Sequence, residues 1–171
     1  LLIRGILVGA LGGLFTGLAL CWSDRAVRGK QIVLILLGWA LAWAMDGLLS
    51  WPLNKVVEQG MAPVLIWSLF AGLVGFLGGS VTGRGLRQAV PRVKTLLVAL
   101  VWAVAWGLGA MIMISLMSRD LLWPVVEGIM GMGLEEMRAR SILHNVSASL
   151  VAALLGGVLM LVHLSRARRK S

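Results

Sequence analysis

The chain has 171 residues, 59% of them hydrophobic and only 13% charged, with a mean hydropathy of +0.93. Soluble domains run at about 45–50% apolar and about 25% charged, so the composition excludes a soluble domain with a large core and implies one integral membrane domain over residues 1–171. The net charge of +9 raises nucleic acid as a partner, but its placement favours membrane lipid instead.

A spanning helix needs ~20 apolar residues, because ~30 Å of hydrocarbon is crossed at ~1.5 Å per residue. Five stretches qualify: Leu2–Trp22, Gln31–Trp51, Ala62–Val81, Thr95–Met117 and Ile142–Leu164. None alternates like a barrel strand, and a helix satisfies its own backbone groups in lipid. The predicted fold is therefore an all-α polytopic membrane protein of five transmembrane helices. The chain opens at Leu1, without an initiating Met, so residues upstream are expected or a segment has been processed away. The first span is too long for a signal-peptide core of ~7–15 residues and shows no small-x-small cleavage site before Asp24.

Span one carries Gly5, Gly9, Gly13 and Gly17 at strict four-residue spacing, which places them on one helical face. A face without side chains lets another backbone approach closely, and this is how helices associate where no hydrophobic effect joins them. Close helix packing is the reading, with a pore lining as the alternative. Cys21, at the end of the span, is the single cysteine. It permits no disulfide and no Cys-based metal site, and reads as a small apolar packing residue.

Span two carries Trp39 and Trp43, and span four repeats them as Trp102 and Trp106, 63 positions on. These indoles sit well inside the spans, where an aromatic belt fits poorly. They either fill the space opposite a glycine stripe or form a platform for a lipid, quinone or pigment ring, and each N–H needs a partner. Span two also holds Asp46, the one ionisable group well within a span. Its repeat counterpart is Gly109.

Span three repeats the small-residue stripe as Ala71, Gly75, Gly79 and Gly83. Span five does so more weakly, as Ser149, Ala153 and Gly157, with Ala148, Ala152 and Gly156 beside them. The segment after span two, "LLSWP…VVEQGM" over Leu48–Met61, returns after span four as "LLWPVVEGIM" over Leu121–Met130. Trp51 and Trp123, each followed by Pro, read as interface anchors. Loops are predicted over Leu53–Gly60 and Val125–Arg140. In the second, Ile129, Met130, Gly133, Leu134 and Met137 share one face of a short interfacial helix.

The repeat unit is thus a Trp helix, an outer Trp-Pro loop, a small-residue helix and a basic inner loop, starting near residues 31 and 95. The copies are parallel hairpin repeats, unlike the inverted repeats of many transporters. With this phasing, span one is the second half of a unit whose Trp helix lies upstream or comes from a partner protein.

Charge sets the expected topology. Arg25, Arg28 and Lys30 follow span one, Arg84, Arg87, Arg92 and Lys94 follow span three, and Arg166, Arg168, Arg169 and Lys170 follow span five. Only Asp24 opposes them. The other face balances Arg4, Lys55, Arg119, Arg138 and Arg140 against Glu58, Asp120, Glu127, Glu135 and Glu136. The positive-inside rule then makes the basic face cytoplasmic, with the N-terminus out and the C-terminus in, in a bacterial inner membrane. Anionic lipid is the expected contact of that face.

Chemistry is sparse. Asp46 and His144 lie at the same outer depth and meet if spans two and five are neighbours, which offers a proton or quinol site or a simple hydrogen bond. His163 lies at the inner end of span five. A full span separates the two histidines, so they cannot share one haem. No phosphate-binding loop, HExxH or Cys/His cluster is present.

In its small-residue first helix and its size, the chain resembles the substrate-binding components of energy-coupling-factor vitamin transporters, which dock on a partner through a small-residue, typically alanine-based, motif. The resemblance covers span one alone and implies a partner there; no vitamin-binding loop carries across. The expectation from the whole sequence is an accessory or structural subunit that packs against other membrane subunits and lipids of a larger, energy-converting assembly. The alternative is a membrane component of a transporter or channel for a small apolar or vitamin-like solute. A third reading is a membrane enzyme using Asp46 and His144.

Overall fold

The computed structural model describes residues 2–23, 27–58, 63–90, 93–118 and 122–131, then positions 133, 135, 136, 140, 143, 146, 147, 149–151, 154–158, 162 and 165. The elements are α1 (Leu2–Ser23), α2 (Gly29–Glu58), α3 (Pro63–Ala89), α4 (Thr95–Ser118) and the short α5 (Trp123–Met130), with no strand among the described residues. Through Gly5–Trp22, Gly29–Ser50, Pro63–Gln88 and Thr95–Leu116, four helices are long and apolar enough to cross a membrane. A shorter apolar helix, Ser149–Val158, follows. His144 and His163 of the fifth predicted span lie outside the described residues.

Three boundaries differ from expectation. Helix α2 runs through Pro52 to Glu58, where a loop was predicted from Leu53. Proline removes one N–H, a single rung of a 30-residue ladder. Helix α3 continues past Val81 to Ala89, which places Arg84 and Arg87 on the helix instead of in a loop. Twenty-seven helical residues reach ~40 Å, enough to cross the hydrocarbon and enter a headgroup layer. Helix α5 starts earlier than predicted, at Trp123, with Pro124 in its first turn, where a missing N–H costs nothing. It stops at Met130, and Gly133 has a φ of 86°, the left-handed region that side chains disfavour. Of the predicted face, Ile129 and Met130 lie on α5, while Leu134 and Met137 lie outside the described residues.

The closest helix pairs are α3 with α4 and α1 with α2, followed by α2 with α3. The register is antiparallel in all three. Down α1, a β-carbon added at Gly5 would overlap the Trp43 carbonyl, and one at Gly9 the Trp39 carbonyl. One at Gly13 would stand 2.7 Å from Leu36 Cα, and one at Gly17 2.9 Å from the Ile32 side chain. Down α3, a β-carbon at Gly75 would overlap the Trp102 carbonyl, one at Gly79 would stand 3.0 Å from Ala99 Cα, and one at Gly83 2.9 Å from Thr95 Cα. The two series align term by term: Gly9, Gly13 and Gly17 match Gly75, Gly79 and Gly83, while Trp39, Leu36 and Ile32 match Trp102, Ala99 and Thr95.

This alters the phase of the repeat. The most intimate pair joins a small-residue helix to the Trp helix that follows it across the basic loop, not to the one before the Trp-Pro loop. Helix α1 accordingly packs as the first half of the α1–α2 pair. The interface between pairs recurs as well. Gly78 of α3 lies under the Trp39 ring, and Gly156 of the C-terminal apolar helix lies under the Trp102 ring. The result is an alternating row: small, Trp, small, Trp, small.

The core is aromatic and narrow. Trp39, Trp102, Trp106, Ile35, Val98 and Ala105 form its centre, closed at the basic end by Val27, Leu86 and Val93. The outward faces are equally apolar: Phe15 is 67% exposed, Leu41 71% and Leu69 66%. A helix bundle this apolar on its outer surface needs a nonpolar surround, which is compatible with a multi-pass membrane protein.

Candidate functional site

The four tryptophans come together across α2 and α4. Trp39 meets Trp102 at 5.2 Å between ring centroids, and Trp43 meets Trp106 at 5.1 Å, each edge-on at 77°. Trp39 also meets Trp106 at 6.0 Å. Repeat-equivalent residues thus pair with one another in matching geometry. Edge-to-face pairs of this kind add ~0.5–1.5 kcal/mol each beyond their buried area.

Their polar atoms are treated unequally. The Trp39 indole N–H donates to Thr82 Oγ1 at 3.1 Å, and the Thr82 hydroxyl donates onward to the Gly78 carbonyl at 2.9 Å. Thr82 is fully buried. Trp102 and Trp106 are buried too, yet neither Nε1 has a hydrogen-bond partner among the described residues. The asymmetry is visible in the sequence. Thr82 stands four positions after the glycine under Trp39, whereas four positions after Gly156, the glycine under Trp102, the sequence has Met160. A buried donor left unpaired costs ~1–3 kcal/mol, so the two halves of the ladder are energetically unequal.

Of the other candidates, Asp46 lies half-buried on α2 and is engaged with a partner. Its suggested meeting with His144 concerns a residue outside the described set. Ser68 and Ser80 return their hydroxyls to carbonyls four residues back, Val64 and Phe76, and so are spent within their own helix. No group of three His, Cys, Asp or Glu side chains that could hold a metal ion occurs among the described residues. Cys21 is a free thiol, half-buried against the core.

A second cluster is basic and lies between the C-terminal end of α3 and the N-terminal end of α4. Arg84, Arg87, Lys94 and Thr95 line a cleft of about 550 Å³, with Val93 and Ala99 as its buried apolar wall. Gln88 borders an adjoining recess that shares Arg84, Arg87 and Thr95. The sequence showed these cations, but as loop charges; only the extension of α3 brings them to one cleft.

Comparison of the chain with protein-family models, with curated proteins and with solved structures finds no match.

Proposed function

We propose that the chain is an accessory, structural subunit of a larger inner-membrane assembly, held to other membrane subunits and to lipid by its small-residue faces. One observation carries this reading. Within the alternating row, α3 has both faces covered, by Trp39 over Gly78 and by α4 over Gly75 and Gly79. Among the described residues, nothing covers one face of each of the two outermost small-residue helices. A β-carbon at Gly12, the α1 equivalent of Gly78, meets nothing within 4 Å, and the same holds at Gly157. The partner that suits such a face is a membrane helix with large aromatic side chains one turn apart, because that is what covers the equivalent face of α3.

The five-span topology, with the basic face cytoplasmic, the N-terminus out and the stripes acting as helix-packing devices, belongs to the same proposal. Its support is the excess of close-packing surface over chemistry. The alternative, a membrane component handling a small apolar or vitamin-like solute, draws on the Trp102 and Trp106 indoles, whose N–H groups have no partner among the described residues; a lipid, quinone or pigment carbonyl would suit them equally.

The test uses Gly12→Leu. It should leave the isolated chain folded, because the site is open, and should strip co-purifying subunits seen by native mass spectrometry. Wild-type protein that runs as a partner-free monomer from native membranes overturns the proposal.

A further inference from the structure

We propose that the cleft between the basic ends of α3 and α4 is a binding site for the phosphate headgroup of an anionic phospholipid. Arg84, Arg87 and Lys94 supply the charge, and the first turn of α4 supplies backbone N–H donors.

The first argument is convergence. Two guanidinium groups and one ammonium border a single cleft of about 550 Å³ whose lining holds no acidic side chain. All three are exposed residues, and none has an ion-pair partner among the described residues. Like charges gathered without a counter-charge repel one another, and a phosphate relieves that repulsion. Arginine forks match its oxygens bidentately.

The second argument is the helix. The first N–H groups of any α-helix have no partner within it and carry the positive end of its dipole. In α4 the ladder opens with the Val98 N–H on the Lys94 carbonyl at 3.2 Å. Lys94 has no side-chain oxygen with which to cap the turn. Thr95 and Leu96, in that turn, line the cleft, so its N–H donors stand beside the arginines, an arrangement suited to an anion.

The third argument comes from the repeat. The α1–α2 pair has the same backbone packing, yet the positions equivalent to Arg84, Arg87, Lys94 and Thr95 are Leu18, Cys21, Gln31 and Ile32. Packing of the pair therefore does not require cations here. At these positions cations occur in the second copy alone, while the first carries Arg28 and Lys30 at other positions.

Depth and wall composition select a lipid over a free ion. The cleft lies at the end of a helix long enough to cross the hydrocarbon and enter the headgroup layer, and its wall is apolar at Val93, Leu96 and Ala99, where acyl chains would follow the phosphate. Basic pockets between helices at such depth suit anionic headgroups. The inference rests on the chain lying in a bilayer and is independent of any partner subunit.

The experiment reconstitutes the full chain in nanodiscs containing one part phosphatidylglycerol in five of phosphatidylcholine. Lipid retained after transfer to detergent is then counted by native mass spectrometry. Arg84→Gln with Arg87→Gln should lower retained phosphatidylglycerol about 10-fold or more, at roughly a kcal/mol per lost cation near the surface. Arg28→Gln with Lys30→Gln removes the same charge from the α1–α2 side and should leave retention within about 2-fold. Circular dichroism confirms that both variants are folded. Equal losses in the two variants would reduce the effect to net charge and overturn the site. Release of the lipid by millimolar inorganic phosphate, with phosphate then bound in its place, would assign the cleft to a free ion and overturn the lipid assignment.

Discussion

Gly9→Ala and Gly12→Ala make the same chemical change three residues apart in one helix, and the structure predicts opposite signs. At Gly9 the new β-carbon would overlap the Trp39 carbonyl oxygen and stand 2.8 Å from both the Trp39 carbonyl carbon and Trp43 Cβ. Ordinary contact begins near 3.4 Å. Two of these atoms are backbone, so no rotamer change relieves the clash, and α1 must shift off α2 by roughly 1 Å. Overpacking a tight contact costs about 1–3 kcal/mol, against a helix-propensity gain of about 0.5–1 kcal/mol for Gly→Ala. The net expectation is a loss of about 1–2 kcal/mol. At Gly12 nothing lies within 4 Å, so only the propensity gain remains and stability holds or rises by up to about 1 kcal/mol. Both variants change the unfolded chain alike, so their difference isolates the packing. Reversible unfolding in mixed micelles, followed by tryptophan fluorescence, measures it. Equal stability of the two variants, or a more stable Gly9→Ala, would refute the close approach of α1 to α2.

Two further outcomes follow from the interior of the row. Gly38→Ala drives its methyl group into the Val81 side chain, so it should destabilise the α2–α3 contact, and Val81→Ala should restore much of the loss. A double-mutant cycle in the same unfolding assay should give a coupling of about 1 kcal/mol or more, and additive single effects would contradict the contact. Trp39→Phe forfeits a buried hydrogen bond to Thr82, whereas Trp102→Phe removes an N–H that has no partner among the described residues. With similar ring volume lost in each, Trp39→Phe should be the more damaging by about 1 kcal/mol; the reverse order would sink this account of the ladder.

The tryptophan pairs could be read from the chain because one offset, 63 positions, carries Trp39 to Trp102 and Trp43 to Trp106. Their partners on α1 and α3 could not be read with the same offset. Gly9 and Gly75 are 66 positions apart, because three more residues separate glycine from tryptophan in the first pair than in the second. A search at one spacing therefore binds each Trp helix to the small-residue helix after it and misses the closer partner before it. Helix ends were illegible for a related reason. Hydropathy falls at Thr82 and Arg84, yet hydrogen bonding within α3 continues to Ala89, since a helix entering the headgroup layer tolerates charge without unwinding. Thr82 was missed as well. A hydroxyl in a small-residue helix has no pattern of its own, and only the Trp39 N–H across the interface reveals its role.

The two copies agree where backbones meet and diverge where side chains have room. Gly9 and Gly75, Gly13 and Gly79, Gly17 and Gly83 occupy the points of closest approach, and at each a β-carbon would press on a neighbouring helix. Substitution there moves a whole helix, so both copies keep the same residue. Leu18 against Arg84, Cys21 against Arg87, Gln31 against Lys94 and Asp46 against Gly109 lie outside those points. A change at such positions leaves the packing alone and alters only what the surface offers. Polar chemistry in this fold therefore collects at positions where the copies differ, and symmetric positions specify the scaffold. The basic cleft and Asp46 belong to the first class. The Trp ladder straddles both, with four shared rings but a hydrogen-bond partner for Trp39 that Trp102 and Trp106 do not have among the described residues. A ligand that reads the ladder should accordingly be sensed at the second copy's indoles, where the two halves of an otherwise repeated ladder cease to be equivalent.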